Sequence, residues 1–282
     1  MFLIFRKRKV IMVMVSLSLV FLLAASVMVD GSFIFAEEST DEVFYHEENG
    51  VSFKYTVKDN KITIMYIFMN NADSLIDGTL IIPSKINGMK VVAVNKNAAV
   101  WIDDNVIYKI RKIVCSNYMT TVDMMSFYPI ESLQEIVLGK YTKRFNTILR
   151  DYEQDEYILF KITVPKDAKY LKTVKGALYS KDGTILFRTP KVSKKGPKYD
   201  NWKSFRVSSK VRRIYKYTFL CNAQKVIRLG GNIRKIDKGA FKNSGGLLFK
   251  VPKNKVKKYK KLIKKAGGTL GKTKWQIRVK GY

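Results

Sequence analysis

The last third of the chain repeats its apolar pattern every 22 residues. Trp202, Phe205 and Val207 are followed by Gln224, Ile227 and Leu229, and then by Gly246, Phe249 and Val251. Between these sets Val211, Ile214 and Phe219 recur as Ile233, Ile236 and Phe241. A fixed period of about 20–30 residues marks a solenoid, in which each copy is one supersecondary unit that buries its apolar face only by stacking on its neighbours. Any fold for this chain must keep that register.

The register continues upstream with gaps. Ile110, Ile113, Cys115, Met119, Val122 and Phe127 reproduce the spacing of Gln224, Ile227, Leu229, Ile233, Ile236 and Phe241 residue for residue. Leu133, Ile136 and Leu138 open another copy, Leu159, Ile162 and Val164 a further one, and Asp77, Leu80 and Ile82 a divergent early one. Each has the form L-x-x-I-x-L, whose last two apolar positions flank one outward residue, as a short strand requires. The pattern lapses between residues 95 and 110 and again over residues 142–150, so irregular coils are expected there.

Other segments punctuate the repeat. Asp182-Gly183 between two strand-like runs within residues 176–187 predicts a hairpin near residues 174–188 that projects from the stack, with a basic loop over residues 191–199 leading back to it. A second hairpin is expected where residues 53–57 and 62–66 flank Asp59-Asn60, as an N-terminal cap. Val256, Tyr259, Leu262, Ile263 and Ala266 have helical spacing before Gly267-Gly268, and a closing strand is expected around Trp275, Ile277 and Val279. Residues 51–282 therefore read as one β-rich α/β solenoid domain with a hairpin at its start, an inserted hairpin and a helical cap at its end.

Charge divides the chain. Residues 1–160 hold 17 Lys and Arg against 19 Asp and Glu, whereas residues 161–282 hold 36 against 4, so the formal net charge of +30 belongs to the C-terminal part. The N-terminus reads as a targeting segment over residues 1–36: Arg6, Lys7, Arg8 and Lys9 precede an apolar run over residues 10–29, and Ala36 precedes Glu37. The run is long enough to span a bilayer, so a cleaved signal peptide and an uncleaved signal anchor are both open. Residues 37–50, rich in acid and without periodicity, read as a flexible leader. Cys115 and Cys221 lie several coils apart and read as buried thiols, not as a bridge.

Four segments carry a family resemblance: Leu80 to Gly88, Val174 to Gly183, Ile233 to Phe241 and Val251 to Leu262. In these the chain resembles the leucine-rich repeats of BspA-like bacterial surface proteins. The resemblance implies a leucine-rich-repeat solenoid, and a secreted or cell-surface-associated bacterial protein concerned with adhesion and host contact.

The register also assigns an outward row. The residue between the last two apolar strand positions is, in successive coils, Ile81, Val114, Val137, Thr163, Arg206, Arg228 and Lys250. Stacked at strand spacing, an apolar row gives way to a cationic one, and Arg206, Arg228, Lys250 and Thr163 are the candidate ligand-binding residues. The partner so implied is an anionic wall polymer, a glycan or an acidic protein surface. Nucleic acid would bind such charge in vitro, but an exported protein does not meet it as a physiological partner. Membrane contact is expected only through an uncleaved N-terminal segment, and the solenoid is expected to be a monomer.

Composition argues against most enzymology. His46 is the only histidine, so Ser-His-Asp and Cys-His mechanisms lack a base and a zinc-type site lacks ligands. No metal, cofactor or catalytic residue is expected. The competing reading is a polysaccharide-acting enzyme using paired carboxylates, with Asp151, Glu153, Asp155 and Glu156 as its local cluster.

Overall fold

The computed structural model describes residues 42–146, 160–190, 204–219, 226–273 and 276–282, apart from residues 72, 74, 243 and 245. The expected targeting segment over residues 1–36, the carboxylates Asp151, Glu153, Asp155 and Glu156, the expected basic loop over residues 191–199, and Trp202, Cys221, Gln224 and Trp275 lie outside the described residues.

Alternation of apolar and polar residues builds the first three strands, β1 (Val43–Glu48), β2 (Val51–Lys58) and β3 (Lys61–Phe68). Val51, Phe53 and Tyr55 of β2 and Ile62, Ile64 and Ile67 of β3 are buried. The joining turns, Asn49-Gly50 and Asp59-Asn60, have positive φ at both residues, the type I′ geometry that matches strand twist and that Asn, Asp and Gly adopt at least cost. The expectation of a flexible leader over residues 37–50 is corrected from Val43 onward. There β1 pairs along its whole length with β2, Phe44 stacks on Tyr55 at 5.6 Å and His46 on Phe53 at 6.5 Å. Acidic residues do not prevent pairing here because Glu47 and Glu48 stand exposed at the hairpin end.

Next come β4 (Thr79–Ile81), β5 (Lys85–Ile86) and β6 (Met89–Val94), the last running parallel to β3 in a sheet ordered β1-β2-β3-β6-β5. Residues 95–110, where the repeat pattern lapses, return as a 3-10 turn (Ala98–Trp101) and α1 (Asp104–Ile107), whose first turn is capped by the Asp103 carboxylate accepting from the Asn105 N–H at 2.8 Å. Helical spacing replaces strand spacing, and Ala98, Ala99, Ile102, Val106 and Ile107 enter the core.

Two parallel ladders then form as the chain coils. One joins β4 to β7 (Lys112–Val114), β9 (Glu135–Val137) and β11 (Lys161–Thr163), and the other joins β8 (Thr121–Asp123) to β10 (Arg144–Asn146). Leu80, Ile113, Ile136 and Ile162 make the core row of the first ladder. The irregularity expected after residue 142 is corrected as far as residue 146. Phe145 pairs with Val122, and buried Thr142 takes the repeat position of Met119 while its hydroxyl donates to the Met119 carbonyl at 2.8 Å. A satisfied hydroxyl can fill an apolar repeat position.

The remaining elements are β12 (Leu171–Val174), β13 (Ala177–Ser180), β14 (Ile185–Arg188), β15 (Phe205–Arg206), β16 (Arg213–Ile214), β17 (Val226–Arg228), β18 (Lys235–Ile236), β19 (Leu248–Val251), α2 (Val256–Lys265) and β20 (Arg278–Gly281). The hairpin around Asp182-Gly183 does not project. Its strand β14 pairs in parallel with β16, and β16 with β18, so β12 and β13 continue the wall of the solenoid. The reason is that β13 is apolar on both faces. Leu178 packs into the upstream core, whereas Ala177 and Tyr179 pack into the downstream one.

Coils are stitched at a recurring corner. The Thr184 carbonyl accepts from the N–H groups of Arg212 and Arg213 at 2.8 and 3.1 Å, and the Arg212 carbonyl accepts from Arg234 and Lys235 at 2.7 and 3.2 Å. One coil thereby satisfies the backbone of the next. Inside, the rings of Phe219 and Phe241 stack at 5.5 Å, and both meet Phe249 edge-on.

Candidate ligand-binding strand face

A parallel strand of three residues offers one inward and two outward side chains, and stacking repeats them at about 4.8 Å. In the upstream ladder Ile81, Val114, Val137 and Thr163 are register partners on the outer face, flanked by Thr79, Lys112, Glu135 and Lys161. In the downstream ladder Arg206 pairs with Arg228, Arg228 with Lys250, and Lys250 with Lys280. The two rows belong to separate sheets, because the chain leaves the first ladder at β11, builds β12–β14 and opens the second ladder at β15. The apolar row and the cationic row therefore belong to two ladders that are not paired with each other among the described residues.

Thr163 is set apart from the cations. Its hydroxyl donates to Glu135 Oε1, and Lys161 Nζ stands 3.1 Å from the same oxygen. Burial pushes the Glu135 carboxyl up, but the hydrogen bonds from Thr163 and Lys161 together with the charges of Lys161 and Lys112 hold it below the ordinary value. Thr163 thus serves a local carboxylate.

The cationic row has a fourth member that the period does not reveal. Lys280 lies 30 residues beyond Lys250 because α2 intervenes, yet β20 re-enters the ladder in register. None of Arg206, Arg228, Lys250 and Lys280 is ion-paired among the described residues. Downstream of residue 160 the described acids are committed elsewhere. Asp167 holds Lys140 at 2.7 Å, Asp182 accepts from Ser180 and Thr184, and Asp237 is gripped by Arg213 at 2.7 Å with Lys235 at 3.5 Å. The Nε atoms of Arg228 and Arg278 are buried with no acceptor, which is unusual for a buried donor. Chemically the row can grip carboxylate, phosphate or sulfate, arginine as a planar fork and lysine as a point charge.

The repeats whose geometry is now defined match a known model. Residues 198–262 match the BspA type leucine rich repeat region (6 copies). Over this stretch the chain is similar to BspA-type leucine-rich repeats. Those repeats take in β15 to β19 and most of α2, so three of the four row residues sit on matched BspA-type coils. Among solved structures, similarity is found to the pneumococcal vaccine antigen PcpA, at 15% identity and TM-score 0.32, covering 74% of this chain and 70% of that one. Similarity is also found to a leucine-rich repeat protein from Eubacterium ventriosum, at 16% identity and TM-score 0.36, covering 74% of this chain and 66% of that one. Curated proteins yield no match.

Cys115 is buried and free, and burial pushes its thiol far above the ordinary range, as expected of a small hydrophobe.

Proposed function

We propose that this protein is a non-enzymatic binding module of the bacterial envelope or cell surface, which docks the cationic face of its C-terminal coils on an anionic polymer or acidic surface. The observation that carries the reading is the in-register row Arg206, Arg228, Lys250 and Lys280, unpaired among the described residues. Like charges directly opposite one another repel, so an anionic partner relieves that repulsion as well as adding attraction. The basic and apolar N-terminal segment supports export, and the BspA-type repeats support a surface or adhesion role.

The test is binding of a labelled sulfated glycan and of an anionic wall polymer, each at low and high salt, to the native protein and to an Arg206→Ala/Arg228→Ala/Lys250→Ala variant. The reading expects binding that weakens with salt and falls in the variant. Binding indifferent to both would overturn it.

A further inference from the structure

Between the outer edge of β20, the C-terminal half of α2 and residues 270–272 lies a cleft of about 830 Å³. Lys260, Lys261, Lys264, Lys272, Arg278 and Lys280 line it. Among the described residues no carboxylate lines it, and Leu270, Ile277 and Val279 form its apolar part.

Local sequence explains the convergence. Tyr259 and Ile263 are buried and fix the inward face of α2, which turns Lys260 and Lys264, four residues apart, to one flank. Lysines in a last turn also complement the helix dipole, and Lys264 can be read that way. Lys260 and Lys261 stand mid-helix, where that reading does not reach. On the opposite wall Arg278 lines the cleft with its Nε buried and without an acceptor.

The backbone adds a donor. Successive N–H groups of a parallel strand point to opposite edges. Arg278 N donates to the Leu247 carbonyl at 2.8 Å and Tyr282 N to the Val251 carbonyl at 2.9 Å, both on the β19 side. The Val279 N–H therefore faces the other edge, where the cleft lies.

We infer that this cleft grips one stretch of a linear chain of tetrahedral oxyanions, phosphate or sulfate, which then continues along the strand face. Six cations exceed what one phosphate can neutralise, so the ligand carries several anionic groups. Lys280 belongs both to the cleft and to the row of Lys250, Arg228 and Arg206, which makes the two surfaces one continuous track. The concave wall brings cations from a helix, a loop and a strand onto one short stretch of ligand, so the cleft binds more tightly than the open row. The inference rests on the reading of the row as an anion-binding face, and it names where the chain is held.

The experiment uses the full chain, with linear inorganic polyphosphate, a heparin oligosaccharide of matched charge, and inorganic phosphate as probes at physiological salt. Two charge-matched variants are compared: Lys260→Gln/Lys264→Gln/Arg278→Gln in the cleft, and Lys238→Gln/Lys257→Gln/Lys258→Gln at exposed positions outside it. The cleft variant should lose at least about tenfold in affinity for a polyanion and the control less than about twofold, while inorganic phosphate competes weakly. The probe that binds more tightly identifies phosphate or sulfate as the source. Equal losses in both variants would overturn the cleft while leaving the row as an anion-binding face. A wild-type protein that binds neither polyanion would overturn both. If the triple variant fails to fold, Lys260→Gln/Lys264→Gln, both exposed on α2, gives the same comparison.

Discussion

Arg206 and Arg228 are register partners in adjacent parallel strands, so two cationic side chains leave the same face of the sheet about one strand spacing apart. Lys250 continues the row. Cross-strand pairs of like charge are destabilising, on the scale of the roughly 0.2–1 kcal/mol that favourable pairs contribute. Arg228→Gln should therefore raise stability by up to about 0.5 kcal/mol at low ionic strength, with the gain shrinking as salt screens the row. Urea midpoints at two salt concentrations check this, and a loss at low salt would mean that the Arg228 stem packs more than its charge repels.

The downstream core hinges on an aromatic triad. Phe219 and Phe241 occupy the same repeat position and stack, and Phe249 meets both edge-on. Phe219 is fully buried. Phe219→Ala should cost about 3–5 kcal/mol, the range for emptying a packed aromatic site, and should lower the urea midpoint accordingly. A cost below about 1 kcal/mol would show that neighbouring coils collapse into the gap.

Gly139 marks a close approach of one coil to the next. A Cβ placed there would lie 2.0 Å from the Ser116 carbonyl oxygen and 2.8 Å from Asn117 Cα, both backbone atoms that cannot step aside. Gly139→Ala should destabilise by about 2–3 kcal/mol through forced separation of the coils, measurable by thermal or urea unfolding. Gly88→Ala makes a useful comparison, because no atom stands within 4 Å of a Cβ there and only its positive φ opposes the change.

Asp182 gives the hairpin between β13 and β14 a pH dependence. Hydrogen bonds from the Ser180 hydroxyl at 2.6 Å and from the Thr184 N–H and hydroxyl at 3.0 and 2.8 Å hold its carboxyl down to about 2. The unfolded group titrates near about 3.9, so the stabilisation is complete above that value and is lost as pH falls from about 4 toward 2. Asp182→Ala should cost about 1 kcal/mol at neutral pH, and Asp182→Asn should flatten the acid limb of a stability profile. An unchanged acid limb in Asp182→Asn would assign the dependence to other carboxylates, of which Glu135, also held below its ordinary value, is the first candidate.

How far the chain was legible depended on whether each residue's environment was local. The strand rows are: Ile227 and Phe249 inside, Arg228 and Lys250 outside follow from period and alternation alone. Residues 37–50 misled because burial of apolar rings, Phe44 on Tyr55, decided β1 while the acids merely stayed in water. Thr142 misled because its hydroxyl finds a carbonyl in the neighbouring coil, a partner that no spacing reveals. Lys280 was missed because α2 stretches its interval, and the cleft beside it joins side chains from a helix, a loop and an edge strand.

By itself the sequence determined the solenoid register, the alternation of core and surface within each coil, and the concentration of positive charge toward the C-terminus. These are properties of local periodicity, and each coil can express them through its own spacing. Only the tertiary structure decided that the outward residues form two separate rows, that the Asp182-Gly183 hairpin is a wall and not a projection, and that Lys280 completes the cationic row. Those outcomes depend on which backbone edge is still unpaired when a strand arrives, and that is fixed by stacking between coils distant in sequence.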